Sequence, residues 1–394
     1  MNARPAKVLF LFNHDASHQA AHIAGIMSEL AVAFPDIEVI AAVGSEKLEK
    51  AVRELAGRQT AEKITWRRLD LPDWQNALLA LPNKIAPLKR LARLRRNEDL
   101  FASVEALVST ERTCLRVRRR LRAKNAANVP AFIYVPHGSG DRNVAYHPEL
   151  QQYDYHLLSG QKLVDEMAAH DIASANQCRI IGYPKFDTLG DAEPVRLFDN
   201  DLPTIVYNPH FDPHLSSWYD SGPDILRRIA AVPDRFNCVF APHVMLFRKK
   251  LHISPEYRKA RLRPDIPQEA LNASNVLIDV DGPRLFDMTY TRSADIYLGD
   301  VSSQVYEFLR DLGLAVFVDA AGQGTDAYQF WENGPVVTDA AGAMKALSDW
   351  RELAEQYRDT QKRLVAYTIS PDPERSASQR GAEAIAGIVA QRKG

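Results

Sequence analysis

The stretch Tyr134-Val135-Pro136-His137-Gly138-Ser139-Gly140-Asp141-Arg142-Asn143 sets a histidine, two glycines, an acid and an arginine directly after an apolar run. Ala131 to Val135 reads as a buried strand, which places His137 at a strand end. Glycines at such a place let the backbone come close to a ligand. An imidazole with an ordinary pKa of about 6.5 can take a proton from a hydroxyl at neutral pH. Arg142 can hold negative charge as it develops on a phosphoryl group. The competing reading is a glycine turn with an idle histidine.

A second stretch, Leu298 to Gly313, reads as a strand end, a tight turn over Asp300 to Ser303, and a helix that runs to a glycine stop. Ser302, Ser303 and the first backbone N–H groups would then gather at a helix N-terminus, an anion site by geometry and dipole. Glu307 lies one helical turn after Ser303, where its carboxylate can accept from a ribose diol. A plain capping arrangement, with Asp300 or Ser302 as cap, is the alternative. His243 follows another strand and a proline, with Arg248 and Lys249 shortly after. His210 and His214 follow a third strand. Lys185 sits in Gly182-Tyr183-Pro184-Lys185-Phe186-Asp187, where glycine and proline would fix a hinge and the lysine would face a ligand cleft.

Metal chemistry is weighed and set aside. His14, His18 and His22 recur at i, i+4 and i+8, and His210 and His214 at i, i+4, the spacing of one helix face. However, His14 is expected to precede the first helix, proline interrupts the second pair, and neighbouring acids or cysteines do not complete a set. Asp279-Val280-Asp281 matches the short DxD pattern, which arises easily by chance. The chain has no Walker loop and no GxGxxG opening a helix. Asn13, His14 and His18, in the loop after the first strand, are instead candidates for contact with an acceptor.

These residues must be positioned by a scaffold, and the chain alternates short apolar runs with longer amphipathic segments, as α/β proteins with parallel sheets do. Lys7 to Phe12 is a strand, too short an apolar run for a signal peptide or a membrane span. Ser45 caps the helix that follows the second strand. Further strands end in Gly or Pro, and α/β proteins place ligands at that carboxyl edge. With 394 residues, two domains are the natural expectation. The composition shift at Asp187 to Leu202 divides the chain into residues 1–187, 188–370 and a terminal helix over 371–394. Net charge of −1 implies no bulk attraction to nucleic acid or lipid, and three scattered cysteines fit a reducing cytoplasm. Residues 87–124 are helical in pattern and heavily basic. They are a solvated helix face, or a patch for a phosphorylated acceptor or for anionic lipid that salt would weaken; nucleic acid is the last alternative, since no motif or aromatic platform accompanies the charge.

The motifs His137 to Arg142, Gly182 to Asp187, Ile205 to Phe211, Ala241 to His243 and Ala294 to Phe308 fall in an order that resembles the CDP-glycerol glycerophosphotransferases of teichoic-acid and capsule synthesis. The resemblance covers about Phe132 to Tyr328, and the D-x-S-S turn with its following acid is the most specific part. It implies a GT-B-like α/β fold, two Rossmann-like domains facing each other across a cleft. It also implies Ser302 and Ser303 on the donor pyrophosphate, Glu307 on the ribose, and His137 and His243 near the reacting phosphate. The implied partners are a CDP-alcohol donor and a glycan or lipid-linked acceptor at the inner face of the membrane, with no metal or other cofactor. Departures are clear. His210 stands where the family usually has threonine, Phe211 where it has tryptophan, Val244 where proline is common, Val301 where it has tyrosine, and Arg142 where it has lysine. GT-B glycosyltransferases and UDP-sugar 2-epimerases share the serine turn and the ribose acid, so a nucleotide-sugar donor remains the second expectation.

Overall fold

Strand β1 (Ala6–Phe12) is apolar on both faces, and every residue but Lys7 is buried. Alternation sends Val8, Phe10 and Phe12 into one core and Leu9 and Leu11 into another. Such a run belongs to a central strand of a parallel sheet covered on both sides. The computed structural model, which describes residues 5–14, 17–84, 86–139, 145–189 and 193–393, places it there. The chain forms two compact units, Met1–Gly190 with Tyr367–Gly394, and Asp191–Ala366.

In the first unit β1 is joined by β2 (Ile37–Val43), β3 (Thr65–Arg68), β4 (Ala106–Ser109), β5 (Ala131–Tyr134), β6 (Tyr155–Leu158) and β7 (Cys178–Ile180). The order is β3-β2-β1-β4-β5-β6-β7, and every pairing is parallel. Helix Ala21–Ala33 covers one face, and the terminal helix Ala377–Lys393 packs against it, sending Ala382, Ile385, Ile388 and Val389 into the same core as β1. The two helices approach closely because Gly25 and Gly381 lack side chains. A Cβ on Gly25 would lie 2.3 Å from Ser378 Oγ, and one on Gly381 about 3.0 Å from Ile26. Asp187 accepts from Ser378 N–H at 2.6 Å, a carboxylate at the start of the terminal helix, where the dipole favours it.

Residues 87–124 are not wholly helical, contrary to the sequence expectation. Helices Leu88–Arg96, Glu98–Ala102 and Leu115–Ala123 flank β4, which lies next to β1 in the sheet. Only four residues long, β4 is fully buried and shows no helical or alternating period of its own among the charged helices. Much of the segment's positive charge is matched by acids of the same unit. Arg90 pairs with Glu111, Arg118 with Asp154, Arg112 and Arg119 with Glu149, and Arg120 and Lys124 with Glu98. Arg95, Arg96, Arg116 and Arg122 stay exposed.

The second unit carries β8 (Thr204–Asn208), β9 (Asn237–Phe240), a separate antiparallel hairpin of β10 (Leu251–Ser254) and β11 (Lys259–Leu262), then β12 (Val276–Ile278), β13 (Ile296–Gly299), β14 (Leu314–Val318) and β15 (Val336–Val337). Its main sheet is parallel in the order β12-β9-β8-β13-β14-β15. No helix among the described residues is long and apolar enough to cross a membrane.

Burial separates what holds the units together from what does not. Ile385→Ala removes methylenes from the core shared by β1 and the terminal helix, and the expected loss is about 2–5 kcal/mol in denaturant titration. Leu251→Ala, on the hairpin, removes a half-exposed side chain, and the same titration is expected to move by about 0.5 kcal/mol or less.

Candidate functional site

Ligands of parallel sheets bind outside the carboxyl ends of the strands, where the strand order reverses. In the second unit that point lies between β8 and β13, which lead to opposite edges of the sheet. The loops leaving β8, β9 and β13 are bound to one another there. Asp300, which follows β13, is fully buried. One carboxylate oxygen accepts from His210 N–H and Val301 N–H, each at 2.8 Å. The other accepts from Ser217 N–H at 2.8 Å and Ser217 Oγ at 3.0 Å. Its carbonyl accepts from the Trp331 indole at 3.1 Å. Burial raises the Asp300 pKa to about 6 against the opposing pull of these donors. The side chain therefore sets the course of the loops and does not cap the helix that follows.

Two more bonds complete the edge. Asn208 donates to the Ala241 carbonyl at 2.6 Å and accepts from the Tyr297 hydroxyl at 3.2 Å. His243 N–H donates to the Pro209 carbonyl at 2.9 Å. In consequence the His210 and His243 rings come within 5.2 Å, with Phe211 against both at 4.5 and 4.7 Å. Each ring has its Nδ1 engaged as an acceptor, His210 from Asp212 N–H at 3.1 Å and His243 from Met245 N–H at 3.2 Å. The neutral rings thus carry their proton on Nε2, the tautomer that can donate to an anionic oxygen.

Ser302 and Ser303 lie on the same turn as Asp300, Ser302 mostly buried and Ser303 half-buried. Ser302 Oγ accepts from Gln304 N–H at 3.3 Å. Glu307 is buried in the helix that begins just beyond. That helix is shorter than its sequence implied. It spans only Val305–Leu309, and the chain turns at Leu312, φ +55°, before reaching Gly313. Five residues align few peptide dipoles, so the dipole part of the anion-site argument does not apply here. Arg248 is exposed, with its guanidinium 3.5 Å from the Met245 sulfur. Asp279 is occupied within its own turn, accepting from Asp281 N–H, Gly282 N–H and the Tyr290 hydroxyl.

In the first unit the order reverses between β1 and β4. Asn13 and His14 leave β1 buried, and Asn13 donates to the Arg90 carbonyl at 3.0 Å. The neighbouring Gly44 lies tight against it, because a Cβ there would come within 3.0 Å of Asn13 Oδ1 and push that side chain aside. His137 and Gly138 leave β5. The protein around His137 lowers its pKa by desolvation, opposed by a hydrogen bond with the Thr110 backbone. His137 is nevertheless exposed, so solvent moderates the depression. His22, on helix Ala21–Ala33, stands 6.5 Å from His137 and 5.3 Å edge-on from Tyr183. It thereby links the β5 loop to the segment holding Lys185. Lys185 is buried in the short 3-10 helix Pro184–Leu189, after Gly182 at φ +87°. Arg142 and the His18 side chain lie outside the described residues.

Sequence reading missed several participants. Ser217 and Trp331 meet Asp300 only through long-range folding, and nothing in their local sequence marks them. Tyr183 was within reach, since it lies inside a motif already singled out. His22 enters the sequence reading only as a metal ligand, yet His14 lies two residues beyond β1 and outside the helix that carries His22.

No protein-family model matches the chain, and no curated protein matches it. Solved structures do share its fold. The wall teichoic acid polymerase TagF, soaked with CDPG, superposes with a TM-score of 0.61 at 15% identity, covering 100% of this chain and 90% of that one. The UDP-GlcNAc 2-epimerase of Neisseria meningitidis bound to UDP-GlcNAc gives 0.61 at 12%, covering 98% of this chain and all of the other (100%). Another UDP-N-acetylglucosamine 2-epimerase gives 0.63 at 11%, with 99% and 97% covered. The fold is GT-B-like, and at these identities the likeness extends to fold alone.

Asp300→Asn keeps the volume but turns an amide NH2 toward backbone N–H donors. The expected loss is about 1–3 kcal/mol in unfolding titrations at pH 7, the cost of buried donors left unmade. The slope with pH is diagnostic. The folded pKa lies above the unfolded value, so folding holds this proton more tightly. From this group alone stability rises as pH falls from above about 6 towards the ordinary value of 3.8. The asparagine variant is expected to lack that slope.

Proposed function

We propose that the chain is a GT-B transferase that moves a polyol phosphate from a CDP-alcohol to a hydroxyl of a cell-envelope glycan or lipid acceptor. The observation that carries this reading is the convergence of His210, His243, Ser302 and Ser303 at the β8/β13 switch point, held by Asp300. Neutral Nε2–H donors, serine hydroxyls and loop N–H groups suit an oxygen-rich dianion such as a pyrophosphate. Glu307, buried beside the serine turn, is suited to a ribose hydroxyl.

In the reaction the acceptor oxygen attacks the phosphorus that bears the polyol. The bond from that phosphorus to the CMP oxygen breaks, and CMP leaves with the electron pair. His137 takes the acceptor proton, a role supported by its depressed pKa and open ring. Arg142 and Lys185 supply positive charge for the transferred group. His243 and the serines hold the donor pyrophosphate and stabilise the CMP phosphate as it leaves. A second reading, a nucleotide-sugar enzyme, is favoured by the likeness to UDP-GlcNAc 2-epimerases and by His210 and Phe211, which depart from the glycerophosphotransferase pattern.

The test is release of free nucleotide from CDP-glycerol, CDP-ribitol and a panel of UDP-, GDP- and CMP-sugars. CMP from a CDP-alcohol is the expected result, and UDP or GDP from a nucleotide sugar would replace this reading with the second. His137→Ala is expected to lower turnover about 10²–10⁴-fold with nucleotide binding retained. With wild type, the rate is expected to rise with pH along a limb whose midpoint lies below the ordinary imidazole value, then level off. An unchanged rate in His137→Ala would remove this residue as the base.

A further inference from the structure

The β10–β11 hairpin stands outside both parallel sheets, and its two faces differ. The register sets Leu251 opposite Leu262 and Ile253 opposite Ala260. Strand alternation puts these four on one face, where Leu251, Ile253 and Leu262 are 50%, 66% and 67% exposed. The other face is inward. His252 and Ser254 are buried, and His252 Nε2 lies 3.0 Å from the Leu246 carbonyl and 3.1 Å from that of Lys249. The hairpin is also fixed to the site loops. Arg261 makes a bidentate pair with Asp220 at 2.7 and 2.8 Å and donates to the Tyr219 carbonyl at 3.0 Å. Tyr257, at its turn, packs on His214 with ring centres 4.2 Å apart. A rigid element therefore presents aliphatic side chains to water without gaining stability from them.

Charge identifies what covers the face. Arg248 and Lys249 lie exposed at its base and Arg258 at its tip, with Lys259 half-exposed beside it. Against them stand Glu256, exposed in the turn, and Asp265, which is already paired with Lys250 at 2.6 Å and near Arg263 at 3.6 Å. The rim is thus cationic. A second copy meeting this face about a two-fold axis would set Lys249 and Arg258 against a like-charged rim. An anionic bilayer satisfies both features at once, since aliphatic side chains enter the interface while flanking cations meet lipid phosphates.

We propose that the outward face of the β10–β11 hairpin docks the protein on an anionic lipid surface. Its test is independent of turnover and of the donor. The full chain is mixed with phosphatidylcholine vesicles with and without phosphatidylglycerol, and bound protein is measured by sedimentation. Binding is expected only with phosphatidylglycerol and is expected to weaken in high salt. Lys249→Gln and Arg258→Gln are each expected to lower vesicle affinity about fivefold. Ile253→Asp combined with Leu262→Ser is expected to lower it about tenfold or more, with thermal unfolding unchanged. Because Cys114, Cys178 and Cys238 are buried, Ile253→Cys offers one accessible thiol for an environment-sensitive dye, whose emission is expected to shift blue on vesicles. Absence of binding at low salt overturns the proposal. So does binding lost only on Arg95→Gln with Arg96→Gln, binding without a dye shift, or a wild-type dimer that Ile253→Asp dissociates.

Discussion

A carboxylate without water must be satisfied by the protein, and Asp300 is satisfied by two separated pieces of chain, the loop after β8 and its own turn after β13. Its acceptor sites are filled by donors at His210, Ser217 and Val301. Neither piece could relax independently without leaving a donor or a charge uncompensated, a cost that rises in a low-dielectric interior. The residues proposed to touch the ligand are neighbours of these anchors in sequence. His210 donates to Asp300 through its backbone and faces His243 with its ring, so one residue is both fastening and functional surface. The raised pKa is the sign that this arrangement is held at some expense in stability.

The two units repeat one solution. In each, a parallel sheet reverses its strand order beside a buried central strand, and the polar residues of interest leave the carboxyl ends of the strands at that reversal. Asn13 and His14 follow β1 as His210 follows β8, and in both places a buried polar side chain lies where the chain leaves the sheet. Precision comes from the apolar strands below, which have few alternative packings. The loops above can then differ in chemistry without change in the scaffold.

Much of this was legible in the sequence wherever an apolar run ended in Gly or Pro. β5, β8, β9, β13 and β14 announced themselves that way, and with them the positions of His137, His243 and Ser302, while β1 was legible from its apolar run alone. β4 was hidden because its few buried residues lie between arginine-rich helices whose charge dominates any window. The hairpin was hidden because alternating Lys, Ala, Arg and Leu reads as a surface loop. Asp300 read as a donor-binding residue of the serine turn or as a helix cap, because both readings are local, whereas its observed partners lie 83 and 90 residues away. The terminal helix could be seen as a helix, but its place against Ala21–Ala33 depends on glycines whose small size has meaning only once the partner is known.

That terminal helix has a consequence for how the chain is made. Asp191–Ala366 is continuous in sequence, so a ribosome delivers everything that the second unit needs before the last residues are joined. The first unit is different. Its β1 core is completed by Ile385, Ile388 and Val389, which are synthesised after the whole second unit, so the apolar surface that they cover beside helix Ala21–Ala33 stays open until then. The half made first is finished second, and a nascent chain of this protein is a natural client for chaperones that shield exposed hydrophobic surface.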